Sequence, residues 1–169
     1  MADVFISFIH EEERVARAVQ ALLRANLDAD HQIFLSADDW QIHAGEVWLD
    51  RIKQELDEAR VLLLLLSLAS VGRPWVNFEA GAAWLTGKAV LPVCFGGLTK
   101  EALPKPYSVF QALNLREDYY YMVRSVHHWI EQGRQYVRLP PIPILPRDQT
   151  VVHLHAELDR LEGGAEPVE

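Results

Sequence analysis

The sequence predicts an α/β fold in which a central parallel sheet of about five strands is flanked by helices on both faces. Two observations support this prediction. Strand-like and helix-like segments alternate along the chain, and the uninterrupted hydrophobic run from Val61 to Leu66 is typical of a strand buried on both faces. Alternating strands and helices imply right-handed crossovers, which produce a parallel sheet covered by helices.

Five short hydrophobic segments are predicted as strands: residues 3–8, 32–35, 61–67, 89–94 and 112–115. Most of them are bounded by polar residues, glycine or proline, which is how strands end in compact domains. Pro92 interrupts the fourth segment and predicts an edge-ward or irregular place for that strand in the sheet, because proline cannot donate to a central ladder.

Helices are predicted where hydrophobic residues recur at helical spacing: residues 11–26, 46–60, 74–87, 116–132 and 151–161. In the first of these, Val15, Val19 and Leu22 fall on one face. The third begins with Pro74, a residue tolerated in the first turn, and ends at Gly87.

Ligands of open α/β sheets bind beyond the carboxyl ends of the strands, where the strand order reverses. The segments that follow the predicted strands are residues 8–10, 36–45, 67–79 and 94–97. We therefore look for functional side chains in these segments.

Composition excludes several classes of function. The formal net charge of −8 argues against a nucleic-acid-binding protein, which needs a basic face. A single cysteine, Cys94, leaves no internal disulfide and suits a reducing compartment. The N-terminus lacks a secretory signal, and the longest apolar run is far shorter than the roughly 20 residues that span a membrane. We expect a cytoplasmic protein with no membrane or nucleic-acid partner.

Phosphate-binding motifs of related folds are missing from the sequence. It contains neither the glycine-rich turn of dinucleotide-binding proteins nor a P-loop. The third predicted strand ends in Leu66-Ser67-Leu68, without the aspartate that a response-regulator receiver phosphorylates.

Five stretches carry a resemblance to a known family: residues 3–8, 33–48, 62–67, 75–79 and 84–93. In this order and at these separations they resemble the sequence boxes of the Toll/interleukin-1 receptor (TIR) domain family. The resemblance covers residues 1–132 and implies a flavodoxin-like TIR fold. We expect residues 133–169 to form a proline-rich extended segment, a short helix and an acidic tail.

The resemblance implies an NAD-cleaving enzyme. Many TIR domains, bacterial ones especially, cleave the nicotinamide–ribose bond with a glutamate four residues after a tryptophan, and here these positions are Glu79 and Trp75. The chemistry is compatible, because nicotinamide leaves as a neutral base and one carboxylate can stabilise an oxocarbenium-like ribose. NAD is then the substrate, and neither a cofactor nor a metal is expected.

Glu79 is the predicted catalytic residue. The predicted substrate-binding residues are Phe8, Ile9, His10, Ser36, Asp38, Trp48 and Trp75. Ile9 departs from the family pattern, in which an arginine or a polar residue often follows the first strand. Apolar residues around Glu79, such as Phe78 and Ala80, predict that its carboxylate is on the buried side of its helix.

The partners implied by the resemblance are NAD and other copies of the chain. TIR–TIR contacts, with filaments as one form, would activate the enzyme, and a downstream effector would sense its nucleotide product in immune or anti-phage signalling. The product is nicotinamide with either ADP-ribose or a cyclic ADP-ribose isomer. Two alternatives stay open: a non-catalytic TIR adaptor that acts through TIR–TIR association, and an unrelated nucleotide-binding module.

Overall fold

Five parallel strands form one sheet in the computed structural model, which describes residues 3–37, 48–131 and 148–163. The strands are β1 (Val4–Phe8), β2 (Ile33–Ala37), β3 (Val61–Leu66), β4 (Ala89–Cys94) and β5 (Leu113–Asn114). Their order is β2-β1-β3-β4-β5, and every neighbouring pair is parallel. The predicted flavodoxin-like α/β fold is confirmed.

Five α-helices connect or follow these strands: α1 (Glu13–Asn26), α2 (Trp48–Glu58), α3 (Pro74–Leu85), α4 (Tyr119–Glu131) and α5 (Gln149–Gly163). A short 3₁₀ helix over His10–Glu12 precedes α1. Most predicted boundaries lie within two residues of the observed ones. The main differences are that α4 begins three residues after its predicted start and that β5 contains only two of the four residues predicted for it.

The core has one cluster of hydrophobic side chains on each face of the sheet. Alternate residues of β1 divide between them: Val4, Ile6 and Phe8 join the cluster beneath α1, α4 and α5, whereas Phe5, together with Ile9 just after the strand, joins the cluster beneath α2 and α3. This division follows from the two-residue period of a strand. It decides which side chains near the carboxyl end of β1 can approach α3.

Pro92 lies in a part of β4 that has a neighbouring strand on one side only. Its register partner is Leu64 of β3, and β5 pairs only with Val93 and Cys94 on the other side. The missing N–H of proline is tolerated there because the outer side of this part of β4 is an edge.

Helix α5 packs onto the domain although it comes after the proline-rich segment. Val151, Leu154 and Leu158 are buried in the same cluster as the inner face of α1. Arg14 of α1 donates two hydrogen bonds of 2.8 Å to the carboxylate of Glu157. Helix α5 therefore belongs to the core of the described structure.

Candidate active site

Glu79 lies on the inner face of α3. The buried residues of this helix are Val76, Glu79, Ala80 and Ala83, which recur at helical spacing. Pro74 begins the helix at a position where its missing N–H costs nothing. The carboxylate of Glu79 has no solvent exposure, and it lies between α3 and the sheet.

Ser36 of β2 donates a hydrogen bond from its hydroxyl to Oε1 of Glu79, at 2.6 Å, and both side chains are buried. Ser36 is the register partner of Ser7 in β1. Paired residues of neighbouring strands point to the same face of a sheet, so the side chain of Ser7 also faces α3. The Ser7 hydroxyl is buried, and none of the described residues is hydrogen-bonded to it.

Trp75 lies one helical turn before Glu79 on α3. Its half-buried ring packs against the hydrophobic cluster beneath this helix. It also stacks on Phe78, with the two ring centroids 5.3 Å apart and the planes tilted by 27°. An aromatic surface therefore adjoins the buried carboxylate.

These residues can be assigned to a family by comparison with known sequences. The model of the TIR domain family matches residues 4–128, which is most of the chain. The chain belongs to the TIR domain family. The match includes Ser36, Trp75 and Glu79 and confirms the family suggested by the sequence boxes.

Solved structures show the same fold. A metazoan TIR-STING receptor from C. gigas in complex with 2',3'-cGAMP has a TM-score of 0.55 and 19% identity, over 77% of this chain and 39% of that chain. A second structure of a metazoan TIR-STING receptor from C. gigas has a TM-score of 0.53 and 19% identity, over 81% and 41%. This TIR domain thus spans about two-fifths of the receptor chains. No curated protein matches it.

Three predicted substrate-binding residues at the carboxyl end of β1 differ in position within the TIR domain. Ile9 is fully buried on the same face of the sheet as Glu79. Phe8 is buried in the opposite cluster, beneath α1, so the sheet separates it from Glu79. His10 begins the 3₁₀ helix and is exposed. Of these three, Ile9 is the residue that shares the face of Glu79.

Two further predicted residues are not placed by the structure. Asp38 lies outside the described residues. Trp48 is the first residue of α2, and its side chain also lies outside the described part of the chain. Their proposed contacts with substrate remain predictions.

Glu12 is a buried carboxylate that sequence reasoning did not single out. It is 3% exposed, and the Ser67 hydroxyl donates a hydrogen bond to its Oε1. Glu11, Glu12 and Glu13 look alike in sequence, and all three suit the N-terminal end of a helix. Nothing in the sequence marks Glu12 as the one that turns inward.

The single cysteine lies at the end of β4 and is buried. Burial raises the pKa of the Cys94 thiol to about 11, so it is a poor nucleophile at neutral pH. Among residues 3–37, 48–131 and 148–163, no three His, Cys, Asp or Glu side chains are grouped to hold a metal ion. Within the same ranges, none of the helices is both long and apolar enough to cross a membrane.

Proposed function

We propose that this TIR domain cleaves the nicotinamide–ribose bond of NAD, with Glu79 as the carboxylate that holds the ribose. The observation that carries the proposal is the 2.6 Å hydrogen bond from the Ser36 hydroxyl to Glu79. A ribose hydroxyl is the same chemical group as the serine hydroxyl. A carboxylate that accepts a hydrogen bond from a serine hydroxyl could accept one from a ribose hydroxyl in the same way.

The reaction needs little beyond this carboxylate. The bond between the ribose C1′ and the nicotinamide nitrogen breaks, and its electron pair neutralises the nicotinamide ring. Positive charge then develops on the ribose, and the negative charge of Glu79 stabilises it. Water adds to C1′ and releases a proton, which gives ADP-ribose. If a nucleophile of the adenosine part reaches C1′ first, the product is cyclic.

Neighbouring side chains would shape the pocket. Trp75 offers a half-buried ring for stacking against nicotinamide or adenine. Ile9, buried on the same face of the sheet as Glu79, would form an apolar wall of the pocket. We propose that His10, Asp38 and Trp48 contribute outside this inner part of the site, with Asp38 and Trp48 flanking the segment that follows β2. Phe8, on the opposite face of the sheet, would act only through the packing of β1.

We propose that NAD can reach Glu79 only after a conformational change in the single chain. Its carboxylate has no exposure, and Glu79 is not among the residues that line a cavity of about 740 Å³ at the carboxyl ends of the strands. We propose that association of TIR domains opens the site, as activation by assembly requires. The enzyme would then act in the cytoplasm in immune or anti-phage signalling, where a downstream effector senses loss of NAD or its nucleotide product.

The test is chromatography of NAD after incubation with concentrated protein. The wild-type chain should release nicotinamide, with or without a chelator, and Glu79→Gln should lower the rate by at least about 100-fold, because an amide cannot supply the charge. The matched control is Glu157→Gln, which alters another buried glutamate, on α5, and should keep the wild-type rate. Equal rates for Glu79→Gln and wild type would contradict the assignment.

A second candidate function, that of a non-catalytic adaptor, is favoured by the outer face of α3. Phe78, Trp84 and Leu85 are exposed there, the last by 81%. Glu79 is the one charged residue of this helix, and it points inward. An exposed helix face with this composition suits contact with another TIR domain. If NAD stays intact at every protein concentration, including with a crowding agent, the adaptor function replaces the enzyme.

A further inference from the structure

The hydroxyl of Ser7 is a buried polar group to which the proposed reaction has so far given no part. Ser7 has no solvent exposure, and none of the described residues forms a hydrogen bond with its hydroxyl. Buried hydroxyl groups in folded proteins normally have a hydrogen-bond partner, because leaving one without a partner is costly. The Ser7 hydroxyl is therefore available to an acceptor that a ligand brings.

Ser7 lies on the face of the sheet that α3 covers. Phe5 and Ile9, two positions before and after it, are both buried in the cluster beneath α2 and α3. Its register partner on β3 is Leu64, which is buried in the same cluster. Its register partner on β2 is Ser36. Among these four neighbours on the sheet, Ser36 is the polar one.

The side chain of Glu79 extends across β1 at the level of Ser7. Helix α3 packs against β1, β3 and β4, yet the carboxylate of Glu79 accepts its 2.6 Å hydrogen bond from Ser36 on β2. Strand β1 lies between β2 and β3 in the sheet. Because Ser7 and Ser36 are register partners, the carboxylate that reaches Ser36 lies beside Ser7 as well. The three side chains form one polar cluster in an apolar layer.

A hydroxyl of a ligand can satisfy Ser7 and Glu79 together. Neighbouring strands are about 4.8 Å apart, and hydrogen bonds between oxygens are about 2.7 Å long, so one hydroxyl oxygen can bond to groups on both rows. An ionised carboxylate only accepts, whereas a serine hydroxyl can donate. A ribose hydroxyl that donates to Glu79 can therefore accept a hydrogen bond from Ser7. A ligand with hydrogen in place of this hydroxyl forms neither bond.

We propose that Ser7 is a substrate-binding residue that donates a hydrogen bond to the same ribose hydroxyl that Glu79 accepts from. This inference rests on the proposed cleavage of NAD, and it makes the site selective for ribose over deoxyribose. Ser7 and Ser36 then have different roles. Ser36 orients the carboxylate in the resting chain, and Ser7 finds its acceptor when substrate is bound. Ser7 is uncovered together with Glu79 when the site opens.

The test compares nicotinamide release from NAD and from two analogues, which lack the 2′- or the 3′-hydroxyl of the ribose next to nicotinamide. Ser7→Ala should lower kcat/KM for NAD roughly three- to tenfold, as for loss of one hydrogen bond. It should leave kcat/KM unchanged for the analogue that lacks the hydroxyl bound by Ser7. Comparing wild type with the variant on each substrate cancels the intrinsic reactivity of the analogues. Ser7→Cys nearly keeps the size of the side chain but is a weak donor, and it should behave as Ser7→Ala does.

Urea unfolding of the same variant supplies a readout that does not depend on NAD. Ser7→Ala should raise the urea concentration at the midpoint of unfolding, because it removes a buried hydroxyl that has no partner in the resting chain. The matched control is Ser70→Ala. The buried hydroxyl of Ser70 accepts a hydrogen bond from the Ser67 N–H and donates one to the carbonyl of Leu65, so its removal should lower the midpoint. Lower activity with higher stability distinguishes a binding role from a structural one.

Several results would overturn the proposal. If Ser7→Ala lowers kcat/KM equally for all three substrates, or for none, the hydroxyl does not bind ribose. Wild-type activity in Ser7→Cys would assign Ser7 a packing role. A midpoint lowered as in Ser70→Ala would show that the Ser7 hydroxyl is already bonded in the resting chain. If the wild-type chain cleaves none of the substrates, the proposed function fails and the role of Ser7 fails with it. Wild-type cleavage that Ser7→Ala leaves unchanged overturns the role of Ser7 alone.

Discussion

Two buried glutamates on opposite faces of the sheet have different partners. Glu157 on α5 is 6% exposed, and Arg14 and Arg160 donate three hydrogen bonds of 2.8 to 3.0 Å to it. These bonds, chiefly those from Arg14, lower the pKa of Glu157 to about 2. Glu79 on α3 has no exposure and accepts a hydrogen bond from the neutral hydroxyl of Ser36.

The difference in these hydrogen bonds supports the proposal that Glu79, and not Glu157, takes part in catalysis. A guanidinium that binds both oxygens of Glu157 fixes them and neutralises their charge. A hydroxyl leaves the negative charge of its acceptor in place and can be exchanged for the hydroxyl of a ligand. Burial alone does not distinguish these glutamates, because Glu79 and Glu157 are both buried, and only their hydrogen-bond donors differ.

The largest expected effect is the loss of stability when the hydrophobic packing of α5, the helix that carries Glu157, is weakened. Leu154→Ala should lower the free energy of unfolding by about 2–5 kcal/mol, because a fully buried leucine leaves a cavity when truncated. Val152→Ala, on the exposed side of the same helix, is the control and should change it by less than about 0.5 kcal/mol.

Urea denaturation followed by circular dichroism measures both variants. A change in Leu154→Ala as small as that in Val152→Ala would mean that α5 is only peripherally attached. Glu157 would then be held by its ion pairs alone, and α5 would not belong to the core.

A smaller effect is expected at the donor of Glu79. Ser36→Ala removes the hydroxyl that orients the carboxylate, and the rate of NAD cleavage should fall about tenfold, as for loss of a hydrogen bond to a charged group. The acidic side of the pH–rate profile of this variant should move to higher pH, because a carboxylate that loses a hydrogen-bond donor holds its proton more tightly. Ser36→Thr keeps the hydroxyl and should restore most of the rate.

The measurement is the pH–rate profile of nicotinamide release for wild type, Ser36→Ala and Ser36→Thr. If Ser36 has a purely structural role, Ser36→Ala should lower the rate equally at every pH and leave the acidic side of the pH–rate profile unchanged. That outcome would remove Ser36 from the proposed site and leave Glu79 without its positioning residue.

Much of this fold can be predicted from the sequence, because its signals are local. The hydrophobic run of β3 and the apolar faces of α1 and α3 predict their own burial, and all five α-helices occur within three residues of their predicted starts. The order of the boxes predicts the family as well. Local patterns such as these depend on neighbours within a few residues.

The contacts of the site are harder to predict because they join distant positions. Ser36 and Glu79 are 43 residues apart, and the register of β1 with β2 decides that Ser36 faces α3. The same two-residue alternation places Ile9 on the face of Glu79 and Phe8 on the other, although the two are adjacent in sequence. Glu157 meets Arg14 across 143 residues. No local pattern encodes such pairs.

The last expected effect is the pH dependence that Glu157 contributes to stability. Its pKa is about 2 in the folded chain and near 4.5 in the unfolded chain. As the pH falls below 4.5, the unfolded chain takes up a proton that the folded chain does not. The stabilisation by the ion pair is therefore complete above pH 4.5 and is lost between there and about pH 2.

The measurement is urea unfolding of wild type and Glu157→Gln at pH values from about 7 to about 2.5. The difference in unfolding free energy between the two should be constant above about pH 5 and should shrink as the pH falls, because glutamine has no proton to take up. Asp118 and Asp148, whose pKa values are also lowered, affect both chains alike and cancel in the difference. A difference that does not change with pH would show that the arginines do not stabilise the charge of Glu157, and the contrast with Glu79 would then rest on geometry alone.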